Sequence, residues 1–115
     1  MQRRATRQSR APNSIERRFQ SWLKERPCVV TGEYGVQVHH CVGSSYKQDK
    51  VLIGHAFCLP LSIEVHNEYH AGTKAWREKY GLQTYLWLDE FIEFKKATGM
   101  DFGYEVERSI LNVRK

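Results

Sequence analysis

All five histidines of this 115-residue chain fall between His39 and His70. A random scatter would place all five within that 32-residue window with a probability of roughly 0.002, against the composition prior. The window is short and mixed in character. Val36-Gln37-Val38-His39-His40 alternates β-branched and polar residues, which predicts a strand. Gly43 to Lys50 is polar and predicts a loop that carries Lys47 and Lys50. Val51 to Leu61 predicts a loop entering a second strand near Pro60. From Ser62, a plausible cap, Ile63, His66, Asn67 and His70 recur at helical spacing. His66 and His70 are four residues apart and so share one helix face, the spacing by which a helix offers two imidazoles to one metal. Two unconnected surface histidines give the same pattern. The adjacent pair His39-His40 ends a strand, where neighbours point to opposite faces. They reach one site only if the backbone bends, which Gly43 permits; otherwise one is a core histidine and the other a surface one.

The rest of the chain frames this window. Asn13 with Glu16 three residues later is a capping-box pattern, followed by Ile15, Phe19, Trp22 and Leu23 on one face and ended by Pro27. Cys28 to Gly35 reads as a short strand and a turn. After Gly72, residues 73–80 predict a short helix that carries Lys74 and stops at Gly81. Residues 82–97 predict the longest helix, with an apolar face built on Tyr85, Leu88 and Ile92 and flanked by Trp87, Phe91 and Phe94. A last helix is expected over 103–113, with Tyr104, Val106, Ile110 and Leu111 as its apolar residues. The expected fold class is α+β: a hairpin and helix over about 28–72, with helices on both sides, in a single domain over 13–115.

Charge is uneven. The net +5 includes Arg3, Arg4, Arg7 and Arg10, which no acid accompanies; without them the remainder stands at 5 − 4 = +1. Residues 1–12 therefore read as a basic arm suited to a polyphosphate, or as a solvated tail. The three cysteines, Cys28, Cys41 and Cys58, are odd in number, and no apolar signal segment precedes them, which points to a reducing, cytoplasmic setting. Cys41 and Cys58 are expected as buried apolar thiols. No apolar run is long enough to cross a bilayer.

A strand-end His-His, an intervening hairpin and a helical His-x-x-x-His together resemble the His-Asn-His, or ββα-metal, nuclease module. The longer run is more specific. Val38-His39-His40, then Gly54-His55-Ala56-Phe57-Cys58-Leu59-Pro60-Leu61-Ser62, then His70-Ala71-Gly72-Thr73-Lys74-Ala75-Trp76-Arg77-Glu78-Lys79-Tyr80-Gly81 is similar to the recombination-enhancement (Ref-like) nucleases of bacteriophages, over about residues 26–82. The resemblance implies a DNA endonuclease that works with a RecA-type recombinase in phage recombination or repair, inside the host cell. It also implies one divalent metal, Mg or Mn for cutting with Zn as a tight binder. His39, His66 and His70 would be the metal ligands and His40 the general base. His55, seven positions before Ser62, would orient the base or support the metal. An imidazole titrates near neutrality and can take a proton from water, while three neutral imidazoles leave a bound metal its charge and open positions.

Two departures from the pattern stand out. Many relatives hold a structural zinc with two Cys-x-x-Cys pairs; here these read Cys28-x-x-Thr31 and Ser62-x-x-Val65, so no zinc ribbon is expected. The slot of the middle Asn holds Phe57. Two other classes compete with the nuclease. One is a non-catalytic zinc-binding nucleic-acid adaptor, with Cys41 or Cys58 closing the site. The other is a plain helical interaction domain. Arg3, Arg4, Arg7 and Arg10 with Lys47, Lys50 and Lys74 are the expected phosphate contacts, with weak sequence specificity. Deleting residues 2–11 is expected to flatten the dependence of DNA affinity on salt, measured by titration across salt concentrations; an unchanged slope removes the arm from the account.

Overall fold

The structure, a computed structural model, describes residues 11–114. Arg3, Arg4, Arg7 and Arg10 of the expected arm lie outside those residues. The first element, helix α1 (Ser14–Lys24), begins where the capping box predicts. The Asn13 side chain accepts from the Glu16 N–H at 2.8 Å, and the Glu16 carboxylate accepts from the Asn13 N–H at 2.8 Å. Two of the orphan N–H groups at the helix start are thereby satisfied.

Strand β1 (Gln37–His40) pairs antiparallel with β4 (Cys58–Leu61), with His39 opposite Leu59 and His40 opposite Cys58. Between them lies a small hairpin of β2 (Lys47–Gln48) and β3 (Val51–Leu52), inside the stretch expected to be loop. Its two turn residues, Asp49 and Lys50, take φ of 54° and 69°. Positive φ at both central positions is what a tight two-residue hairpin requires, and it matches the twist of the flanking strands. Ser62 then caps α2 (Ile63–Ala71) through its Oγ and the Val65 N–H. Gly72 separates α2 from α3 (Thr73–Tyr80), and α4 (Gln83–Thr98) and α5 (Tyr104–Leu111) complete the order. Gly99 ends α4 at φ 73°, the left-handed cap that a glycine adopts at least cost. The fold is thus mixed α and β, with five helices and two small antiparallel sheets among the described residues. None of these helices is long and apolar enough to cross a membrane.

The core forms between α1, the β1–β4 pair and α4. All four residues of β4 are buried, because α1, α2 and α4 all pack on it. Phe19 of α1 meets Phe94 of α4 and Phe102 edge-on, at 5.0 and 5.1 Å. Trp87 stacks on Phe91 at 4.9 Å. Arg26 clasps the buried Glu90 through Nε and Nη2, at 3.0 and 3.4 Å, tying the end of α1 to α4.

Two expectations are corrected. Residues 28–35 form turns and no strand. Their backbone closes on itself, Cys28 N–H to the Glu33 carbonyl and Gly32 N–H to the Cys28 carbonyl, and Val29 N–H donates to the Pro60 carbonyl on the outer edge of β4. The second correction concerns α4. Its buried face is Trp87, Phe91 and Phe94, while Tyr85 and Ile92 face solvent at 64% and 43% exposure. Both rows are apolar in sequence, and the larger one won the core because it fills the space beside Phe19 and Phe57. Cys41 and Cys58 are buried free thiols, as expected.

The corrected face has a direct consequence for stability. Phe94→Ala is expected to cost about 3–5 kcal/mol by opening a core cavity, whereas Ile92→Gln should stay within about 0.5 kcal/mol. Urea denaturation of the two variants checks this, and a reversed order would return Ile92 to the core.

Candidate metal and proton-transfer site

The five histidines divide into two groups. His39, His66 and His70 form one row. His39 is 2% exposed, its ring 5.2 Å from that of His66, and His66 lies 4.6 Å from His70. The Nε2 atoms of His66 and His70 are 3.0 Å apart, the meeting that i, i+4 spacing allows. His40 and His55 form the other group, with His40 Nε2 at 3.3 Å from His55 Nδ1. Strand alternation separates His39 from His40, and the chain bends only afterwards, at Cys41 and Val42.

Tyr69 stands between the groups. Its ring packs on His39 at 4.6 Å and on His70 at 5.7 Å. It also lines an open cleft of about 650 Å³ together with His40, His55, Gly43 and Ser44. The sequence reading missed Tyr69. The available signal was its position on α2, three residues after His66 and next to His70. Gln83 was also missed, and nothing local points to it. It is buried at the first turn of α4, where its Oε1 sits 2.8 Å from His39 Nε2. Nε2 therefore carries the proton, which leaves Nδ1 as the lone pair of His39. A carbonyl oxygen holding one ring nitrogen so that the other is free is the arrangement found behind metal-binding histidines.

The loop that carries His55 is fixed from both sides of the core. Gln20 of α1 donates to the His55 carbonyl at 2.9 Å, and the Trp87 indole of α4 donates to the Ala56 carbonyl at 2.9 Å. Gly54 lies so close to the carbonyls of Gly43 and Ser44 that a Cβ there would collide with backbone. Phe57, in the slot where the resemblance expects an amide, is fully buried against Trp87.

Burial governs the charge state. It holds His39 down at about 4, with the Gln83 hydrogen bond pulling partly the other way. Burial, then the nearby His55, lowers His40; burial, then His70, lowers His66. These three rings are neutral at pH 7, the form that coordinates a metal or accepts a proton.

Among the described residues, no three His, Cys, Asp or Glu side chains are arranged to hold a metal ion as they stand. The donor set nevertheless fits one. Two nitrogens 3.0 Å apart match the separation of two ligands about 2.0–2.1 Å from a shared cation. His66 Nδ1 is buried and has no hydrogen-bond partner among the described residues. His39 does not converge with this pair: its Nε2 is engaged by Gln83 and its ring centroid lies 5.2 Å from that of His66. Lys47, Lys50 and Lys74 are exposed.

Residues 7–99 match the family described as Protein of unknown function (DUF968). Among curated proteins, the chain is 31% identical over 86 residues to Uncharacterized protein YdfU of Escherichia coli (strain K12). That match covers 75% of this chain and 24% of the relative, so the chain spans about a quarter of its length. No solved structure matches.

The buried His39 makes stability pH-dependent. Its folded value lies below its unfolded value of about 6.5, so the unfolded state takes up the proton first and acid favours unfolding. The contribution is fully present above pH 6.5 and is lost as the pH falls toward 4; a shift of that size is worth about 3 kcal/mol. Denaturant melts of metal-free protein between pH 7 and 4 should show that loss, and His39→Asn should flatten it. An equal slope in both proteins would remove His39 as the cause.

Proposed function

This chain belongs to the DUF968 family, and we propose that it is a metal-dependent endonuclease that hydrolyses DNA phosphodiester bonds on a ββα-metal centre. One observation carries the reading: two antiparallel strands, the turn before the second and the helix after it divide five histidines into a row of three and a separate pair, with Tyr69 between them. A row of imidazoles alone would equally suit a closed structural site. The second pair, opening on a cleft, gives the reading its chemistry.

His40 takes the proton of the attacking water. When His40 Nε2–H donates to His55 Nδ1, the lone pair of His40 sits on Nδ1 and is free to accept. Because burial keeps the ring neutral, this acceptor is available at pH 7. His55 fixes the tautomer and the ring plane, the task an amide would otherwise perform from the position of Phe57. Its own place is held by Gln20 and Trp87 through the backbone of residues 55 and 56. His39, His66 and His70 are the side chains that would hold the cation, with Gln83 orienting His39. Such a cation would supply Lewis-acid stabilisation of charge growing on the phosphate oxygens. Imidazole donors suit Zn better than Mg or Mn by ligand type. DNA is the substrate in this reading, with Lys47, Lys50, Lys74 and the N-terminal arginines as phosphate contacts and a RecA-type filament as the partner that presents it.

Supercoiled plasmid and single-stranded DNA, each incubated with the chain and Mg, Mn or Zn, test the proposal. Nicking should require metal and fall about 10²–10⁴-fold in His40→Ala, with metal binding retained. Wild-type rates in His40→Ala would refute the assigned base. No cutting, with or without a recombinase filament and despite stoichiometric metal, would leave the non-catalytic zinc adaptor as the function.

A further inference from the structure

A second cleft, of about 190 Å³, adjoins the site and has no role in the chemistry above. It is lined by Tyr69, Thr73, Trp76, Arg77 and Gln83. Two of these five also touch His39: Tyr69 through its ring and Gln83 through its amide oxygen. Tyr69 lines the His40–His55 cleft as well, so one side chain forms the wall between the two spaces.

The chemistry of the second cleft is that of an anion site. Thr73 and Arg77 are one turn apart on α3, so they share a helix face, and both line this space. Arg77 is exposed, and its side chain has no hydrogen-bond or ion-pair partner among the described residues. Lys79, two residues on, is bound to Glu68 at 2.9 Å, and the Tyr80 hydroxyl also donates to Glu68, so that acid is occupied, while Glu78, next to Arg77 in sequence, does not line the cleft. No acidic side chain lines the cleft. The floor is Trp76, locked by its indole N–H on the Val65 carbonyl at 3.1 Å. An unpaired guanidinium above a rigid polar hollow suits a phosphate, which it meets with two parallel N–H donors.

We propose that this cleft is a phosphate subsite that holds a backbone phosphate of the DNA strand next to the one placed at His40. Arg77 is its principal contact, Thr73 adds a hydroxyl, and Tyr69 spaces the two phosphates. The subsite rests on the nuclease reading for its substrate. It gives that reading a means of setting the strand in register, since a phosphate fixed beside the wall determines which bond lies over the base.

DNA binding by His40→Ala protein, which removes the assigned base, tests the subsite without catalysis. Arg77→Ala in that background should weaken binding of a short duplex about 5–10-fold and lower the salt slope by about 1, while Arg77→Lys restores part of the affinity. Lys96→Ala serves as the control: it lies 13 residues from Gln83 along α4, about 20 Å by helical rise, and should change neither quantity by as much. Unaltered affinity and slope in Arg77→Ala would overturn the subsite, whether or not the wild-type chain cuts. No measurable DNA binding by either protein would also overturn it. A chain that binds DNA through Arg77 but never cuts would keep the subsite and refute the nuclease.

Discussion

The site depends on the register of two four-residue strands. With His39 opposite Leu59 and His40 opposite Cys58, one histidine enters the core beside α2 and the other turns toward His55. A slip of one residue would exchange them, putting His39 in the cleft and His40 in the core. So short a ladder does not hold register by its own hydrogen bonds. The surrounding core holds it. Helices α1 and α4 pack on β4, Val29 binds the Pro60 carbonyl at its outer edge, and Trp87 binds the Ala56 carbonyl just before the strand begins. Leu59 and Leu61 are fully buried in this register. The hydrophobic pattern that folds the chain is therefore also what sorts the histidines.

The same burial sets the electrostatics. An imidazolium in the place of His39 would be a charge removed from water beside two other histidines, so the neutral ring is favoured strongly. His66 Nε2 and His70 Nε2 come to 3.0 Å, the contact that their i, i+4 spacing on α2 allows. Gln83 extends this arrangement to α4. The amide that orients His39 is in the first turn of α4, whose core face also carries Trp87, the anchor of the His55 loop. One helix thus supports both groups of histidines, and loosening α4 would disturb the two together.

Much of this was legible locally. Asn13 with Glu16, Ser62, Gly72, Gly81 and Gly99 punctuate the chain where the structure begins and ends its helices, because caps act on backbone groups a few residues away. The alternation before His39-His40 gave β1, and i, i+4 spacing gave the His66–His70 contact. What was not legible is non-local. Gln83 meets His39 across 44 residues, and no spacing rule reaches that far. On α4, the Tyr85–Ile92 row and the Trp87–Phe91–Phe94 row are both apolar, and only the shape of the cavity beside Phe19 decides between them. Around residues 28–35, β-branched residues read as a strand, but β1 already pairs with β4, and Cys28 to Glu33 satisfied its backbone in turns instead.

On the proposed reading, Phe57 shows how the chain reconciles packing with chemistry. A polar amide in that slot would sit fully buried against Trp87, far from water and in need of its own partners. Phenylalanine fills the space without that demand, and in the proposed mechanism the orienting role falls to a side chain two residues earlier, in the turn that opens on the cleft. An imidazole performs it differently from an amide. With His55 Nδ1 as acceptor, the bond from His40 Nε2–H persists when His40 takes up a proton on Nδ1, and it becomes charge-assisted at that moment. Burial makes His40 a weaker base than a solvated histidine, and a hydrogen bond that strengthens only on protonation offsets part of that loss. On the proposed reading, the exchange of an amide for His55 therefore supports the base in the protonated state reached during catalysis, where support contributes to rate.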